Sequence, residues 1–276
     1  MTLPFLLKSI ENRRGFTLIE VLMVVLLVTI LAVASITMIP DTINQSRFNQ
    51  TVDQLNQIRN AMIGNPGIKE GTTRTSFGFL GDVGVVPAAI SDLLAKPGYV
   101  GAVFALNSTA RFGIGWNGPY LTGQNTHTDF TKDAWGNPLV YAPPPTSPPT
   151  LTSLGADGAV GAAAGGAFDA DITVTLPIEM TFATVSGFIC QGGGPFTGTA
   201  QVELNVPDGT GALTQLEDHV VPADKGQFSF GSVPMGVRSI TIYTPDPAPT
   251  QTLGPIIFTV AQPNVVVPCN LIDISP

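Results

Sequence analysis

From Val21 to Ile39 the chain reads VLMVVLLVTILAVASITMI, nineteen residues without a charge. That is close to the ~20 residues needed to cross ~30 Å of hydrocarbon as a helix. Pro40 then ends or kinks the helix. Beyond it Phe48, Val52, Leu55, Ile58 and Met62 recur at helical spacing, an apolar stripe that a packed domain must cover. If unbroken from Phe16 to Ile63, the helix is about 72 Å long at ~1.5 Å per residue. Gly64-Asn65-Pro66-Gly67 stops it. The stretch 77–84 is Gly-spaced and reads as turns, and 87–94 (PAAISDLL) as a short helix opened by Pro. After about residue 175 the pattern changes to short β-rich runs divided by Gly and Pro: 179–189, 200–206, 227–230, 237–244, 256–260 and 264–267. This spacing predicts an antiparallel sandwich.

Composition narrows the class. Charged residues are only 12% of the chain against 44% apolar, with 30 Gly and 24 Pro. An average soluble protein has ~25% charged residues. The balance suggests a loop-rich extracytoplasmic protein rather than a cytosolic enzyme or a disordered chain. A net charge of -8 excludes nucleic acid as a partner, because phosphate binding needs a basic face. Two His and two Cys leave little for acid–base catalysis or a Cys-rich zinc site, and no nucleophile–base pair suggests an enzyme. Lys8, Arg13 and Arg14 oppose only Glu11 in the first fifteen residues, whereas the remainder is strongly acidic. A basic start before an apolar run is an export pattern with its positive end in the cytoplasm. Ala32 and Ala34 leave a cleaved secretory signal open on hydropathy alone.

The residues Arg13-Arg14-Gly15-Phe16-Thr17-Leu18-Ile19-Glu20 resemble the prepilin junction of type IV pilins and type II secretion pseudopilins. The resemblance implies cleavage between Gly15 and Phe16 by a membrane prepilin peptidase, methylation of the new N-terminus and retention of the anchor. It also implies that Glu20 pairs with the free amine of Phe16 in a neighbouring subunit. A carboxylate inside an apolar helix costs free energy and usually has a partner. Further along, 116–121 (WNGPYL) and 132–141 (KDAWGNPLVY) resemble segments of the major pseudopilin, with Ala134 where the family usually has Pro. Trp116 and Trp135 are then structural. The stretches 151–158 (LTSLGADG) and 168–172 (FDADI) are similar to that family's calcium loop. The resemblance implies one calcium ion held by Asp157, Asp169 and Asp171 with the carbonyl of Leu154. Three carboxylates among glycines suit a cation that takes 6–8 oxygens.

About 100 residues follow, enough for a separate domain. Residues 185–189 (VSGFI) and 224–236 (DKGQFSFGSVPMG) resemble the carboxypeptidase-regulatory-like, transthyretin-type sandwich. The two cysteines, Cys190 and Cys269, both fall here, and outside the cytoplasm a disulfide is the favoured reading over two separate thiols.

The expected fold is α+β. A long N-terminal transmembrane helix packs on a small antiparallel sheet, as in pilins, and an all-β sandwich domain follows. The divisions are a leader at 1–15, a transmembrane helix at 16–40, a pseudopilin-like domain at 41–175 and the sandwich at 176–276. The implied function is structural, a non-enzymatic subunit of a type II secretion pseudopilus or type IV pilus-like filament. Its partners would be copies of itself, other pseudopilins, prepilin peptidase and the inner-membrane assembly platform. It would cross the bacterial inner membrane once, N-terminus cytoplasmic and C-terminal domains periplasmic, before entering a periplasmic or extracellular filament. The alternative is a minor or tip pilin acting as an adhesin through the sandwich.

Overall fold

The computed structural model describes residues 15–122, 129–145, 148–161 and 166–274, leaving aside the side chains of 33–40. The chain is α+β and divides into two compact units, 1–46 and 47–276. Helix α1 runs from Leu18 to Ile63. Pro40 does not end α1, which continues through it. Among the described residues no helix is long and apolar enough to cross a membrane. The fully described part of the apolar run stops at Ala32, and the side chains that would complete the 21–39 span lie outside the described residues.

In the second unit, α1 buries Leu55, Ile58 and Met62 completely, one face at helical spacing. Full burial of each contributes about 1.5–3 kcal/mol. They share a core with Leu151, and Tyr141, Ile172 and Val174 pack against it. These come from a three-stranded antiparallel sheet, β1 (Val140–Ala142), β2 (Thr150–Ser153) and β3 (Ile172–Thr175), in that order. The same helix holds a turn through polar side chains. Gln54 Nε2 donates to Lys132 O at 2.8 Å, and Thr51 Oγ1 accepts from Ala134 N at 3.2 Å.

The stretch read as turns contains a helix, α2 (Gly78–Val83). Two glycines hid it, but Phe79, Leu80 and Val83 all reach the core, which outweighs their poor helix propensity. The short helix expected at 87–94 is a 3-10 turn, Ile90–Leu93.

The C-terminal part forms two larger sheets and a small two-stranded one pairing 190–191 with 194–195. One has the order β6-β5-β8-β9, from β5 (Ala200–Pro207), β6 (Leu213–Val220), β8 (Gly236–Thr244) and β9 (Gln251–Val260). The other has the order β7-β4-β10, from β4 (Phe182–Phe188), β7 (Gln227–Pro234) and β10 (Asn264–Val267). Val185, Val202, Leu204, Phe228, Ile240 and Val260 from both sheets make one core. Two details differ from the expectation. Strand β10 runs parallel to β4, and β6 was missed because LTQLEDHV carries its polar residues on an exposed edge. A disulfide joins Cys190 and Cys269, with Cα atoms 5.6 Å apart. It pins the chain end, where Ile274 N donates to Cys190 O at 2.7 Å and Gly192 N to Asp273 Oδ1 at 2.8 Å.

The expected boundary at 175/176 falls within the second unit, and the two sides meet on the last turn of α2. The carbonyls that end a helix have no intrahelical partner. Here Gly81 O accepts from Arg238 Nη1 at 3.1 Å, Asp82 O from Gly115 N at 2.9 Å and Val83 O from Gly209 N at 2.9 Å. Arg238 lies on β8, and Gly209 in the turn between β5 and β6. Gly84 follows at φ 95°, and a Cβ there would lie 2.3 Å from Pro207 O, so only glycine admits this approach. Arg238 is fully buried, and its guanidinium also donates to Pro234 O, Met235 O and Val237 O. Burial lowers its pKa to about 9, opposed by the nearby Asp82 carboxylate.

Asp82 accepts a hydrogen bond from Tyr120 Oη at 2.9 Å. Desolvation raises its pKa to about 6, against the hydrogen bond from Tyr120 and the charge of Arg238. The unfolded carboxyl titrates near ~3.9. Between about pH 4 and 6 the folded state therefore binds more protons, and stability falls as pH rises through that window. Asp82→Asn keeps an acceptor for Tyr120 and removes the titration. Relative to this variant the native chain should lose on the order of 1–3 kcal/mol between pH 4 and 6, read from urea unfolding. A pH-independent difference would remove Asp82 from the account. For the disulfide, the double substitution Cys190→Ser, Cys269→Ser should cost about 4 kcal/mol in the same assay, since the bridge closes a long loop. An unchanged midpoint would mean the bond adds no constraint.

Candidate functional site

Two regions carry the residues singled out by sequence. The first is the start of α1. Gly15 and Phe16 are exposed, Phe16 at 79%. Thr17 is the last residue before the helix, and two reciprocal hydrogen bonds cap the first turn. Glu20 N donates to Thr17 Oγ1 at 3.3 Å, and Thr17 N donates to Glu20 Oε2 at 3.4 Å. This is a capping box, and its T-x-x-E signature was present in the sequence. Within one chain, then, Glu20 satisfies a backbone donor at the helix start and sits where the helix dipole favours a negative charge. The apolar side chains that follow, from Leu18 to Leu31, stand largely in the open, Leu18 at 84% and Val24 at 54%. Residues 1–14 of the expected leader lie outside the described residues.

The second region is the loop between β2 and β3. The turn 132–137 organises its base. Asp133 is buried, accepting from Trp135 N and Asn137 N through Oδ1 at 3.0 and 2.9 Å, and from Ser153 Oγ through Oδ2 at 2.6 Å. Asn137 Nδ2 donates to Gly155 O at 2.7 Å. Asp133 was not anticipated as an organiser, although an Asp two residues before Trp-Gly-Asn signals an Asx turn. Gly155 adopts φ 68°, where a Cβ would meet Asp169 O at 2.7 Å. Ala156 N donates to Phe168 O at 2.8 Å, so the two ends of the loop are paired. Leu154 is half-buried at its head.

The three aspartates cap this loop locally. Asp157 Oδ1 accepts from Ala159 N at 3.0 Å, Asp169 Oδ2 from Gly166 N at 2.8 Å and Asp171 Oδ2 from Gly161 N at 3.1 Å. Among the described residues no three acidic, His or Cys side chains form a metal-binding group. Residues 162–165 of the loop lie outside the described residues. The donors are all oxygen, and Asp171 Oδ1 is buried without a hydrogen-bond partner among the described residues. Both features suit a hard cation.

Trp116 is structural. Its Nε1 donates to Asp92 O at 3.1 Å, and its ring meets Tyr120 edge-on at 6.0 Å.

Residues 11–36 match the prokaryotic N-terminal methylation motif. Residues 100–175 match the type II secretion system protein G family. No curated protein and no solved structure matches. The first match spans the capped helix start, and the second spans the Asp133 turn, the aspartate loop and the three-stranded sheet. Found in this order along one chain, the two matches support a type II secretion pseudopilin or type IV pilin, families of structural subunits rather than enzymes.

Proposed function

We propose that this chain is a filament subunit, processed between Gly15 and Phe16 by prepilin peptidase and methylated at Phe16. The 21–39 run then anchors it in the bacterial inner membrane, with the later parts in the periplasm. From there the inner-membrane assembly platform adds it to a filament of like subunits and other pseudopilins. The observation that carries this reading is the capped start of α1 followed by uncovered apolar side chains. Apolar surface on that scale needs lipid or the helices of neighbouring subunits to cover it. Glu20 then has two partners in turn. In the single chain its carboxylate holds Thr17 N, and in the filament it pairs with the Phe16 amine of a neighbour, a stronger charge-assisted bond.

We also infer one bound calcium ion at the β2–β3 loop, held by Asp157, Asp169 and Asp171 with the carbonyl of Leu154. The unpartnered Asp171 Oδ1 and the oxygen-only donor set support it. Bound to the folded state alone, the ion would stabilise it by about 2.7 kcal/mol at 100 times its dissociation constant.

Intact-mass measurement of the membrane-extracted chain should give a mature N-terminus at N-methylated Phe16. A terminus after Ala34, or at Met1, would exclude the prepilin reading. Glu20→Ala should still enter the membrane but should fail to sediment with filaments. Normal filament yield would deny Glu20 a role in register. For calcium, melting should shift upward with millimolar calcium relative to chelator, and Asp157→Ala should abolish the shift. Identical melts would leave the aspartates as loop caps alone.

A further inference from the structure

At one end of the four-stranded sheet an ion pair reaches across its strands. His219, near the end of β6, places Nδ1 2.7 Å from Asp246 Oδ2. Asp246 belongs to the loop 245–250, which leads from β8 into β9. In the order β6-β5-β8-β9 the pair therefore joins one edge strand to the connection that feeds the other. The Asp246 side is built to hold still. Asp246 N donates to Thr199 Oγ1 at 3.2 Å, Thr199 Oγ1 donates to Asp246 O at 3.0 Å, and Thr244 Oγ1 donates to Thr199 O at 2.9 Å. Thr250 N closes the loop by donating to Thr244 O at 3.0 Å. The Asp246 side chain is 21% exposed and that of His219 57%. A positioned carboxylate thus faces a histidine that can exchange protons with solvent.

We propose that His219 and Asp246 form a pH-sensitive clasp that holds the loop 245–250 to β6 while the histidine is charged and loosens when it is neutral. An imidazolium gives the carboxylate a charge-assisted hydrogen bond, a neutral imidazole only an ordinary one. The surroundings favour the charged form. The hydrogen bond to Asp246 and its charge raise the His219 pKa, with Glu217 and Asp218 of the same strand adding to this and desolvation opposing it. The Asp218 carboxylate also accepts from Ser229 N of β7 at 2.9 Å. Opposite His219 on β5 stands the uncharged Gln201, with Tyr243 of β8 next in that row and Glu203 in the row beside it. None of these neighbours is basic. An unfolded histidine titrates near ~6.5. Since the folded value is raised, the clasp is at full strength below that pH and is lost as pH rises through the folded value. Its window lies above that of Asp82, so the two are separable.

The test is an NMR titration of the full chain in mild detergent from about pH 5 to 8.5, following the His219 ring and the amides of Asp246 and Ala248. His127, the other histidine of the chain, is told apart because its signal survives in His219→Gln. His219 should titrate at a higher pH in the native chain than in Asp246→Asn, a variant that keeps the backbone bonds to Thr199. The loop amides should shift with the His219 midpoint. Their hydrogen exchange, corrected for its intrinsic pH dependence, should become about threefold faster above that midpoint, the scale of an exposed ion pair. In His219→Gln and Asp246→Asn this response should vanish. Equal His219 midpoints in the native chain and Asp246→Asn would overturn the proposal. So would loop amides whose shifts and exchange ignore the protonation of His219.

Discussion

The three carbonyls that end α2 hold the second unit together. Gly81, Asp82 and Val83 each accept from a different segment: the buried guanidinium of β8, the backbone at Gly115 and the turn between β5 and β6. Hydrogen bonds to a charged donor contribute roughly 1.5–3 kcal/mol and neutral ones roughly 0.5–1.5. The greater effect is on what happens if they are lost, because each carbonyl would then be buried and unpaired. The C-terminal sheets are therefore bolted to the residues around α2 rather than hung on a linker. Close approach of the backbones at Gly84 and Pro207 requires the same arrangement.

A second arginine extends this junction to the end of α1. Arg74 is buried, donating through Nε to Ser76 O at 2.8 Å and through Nη2 to Ile63 O, the last residue of the helix. A cation at a helix C-terminus also complements its dipole. Arg74 Nη1 lies 3.8 Å from Met235 Sδ, and Arg238 donates to Met235 O at 2.9 Å. Two guanidiniums thus converge on Met235 in the β7–β8 turn. This arrangement couples the end of α1 to the sheets.

Much of this was legible in the sequence, and the exceptions have physical causes. The apolar run could be read because it needs no tertiary information, whereas the local T-x-x-E cap at Thr17 stood in the sequence and was not read. The Leu55, Ile58 and Met62 stripe and most C-terminal strands follow from periodicity. Helix α2 was hidden because FGFLGDV has two glycines and no side-chain cap, so only burial of Phe79, Leu80 and Val83 makes it a helix. Arg238 was unreadable for a similar reason. A lone arginine in a strand ordinarily faces water, and although three of its acceptors lie within four residues of it, the fourth, Gly81 O, is more than 150 residues earlier in the chain. Pro40 does not end α1, although a proline usually ends or kinks a helix. The aspartates were read as ligands of a single ion, and in the fold each also caps its own stretch of loop.

The central claim is that residues 47–276 are one cooperative body joined at α2. Urea unfolding read by two local probes tests it most directly. Trp116 and Trp135 report on the residues before the sheets, and hydrogen exchange of the β8 amides reports on the sheets themselves. If the α2 junction governs the fold, both probes should give one midpoint and one slope. Loss of the tryptophan signal at a urea concentration where the β8 amides stay protected, or the reverse, would contradict it.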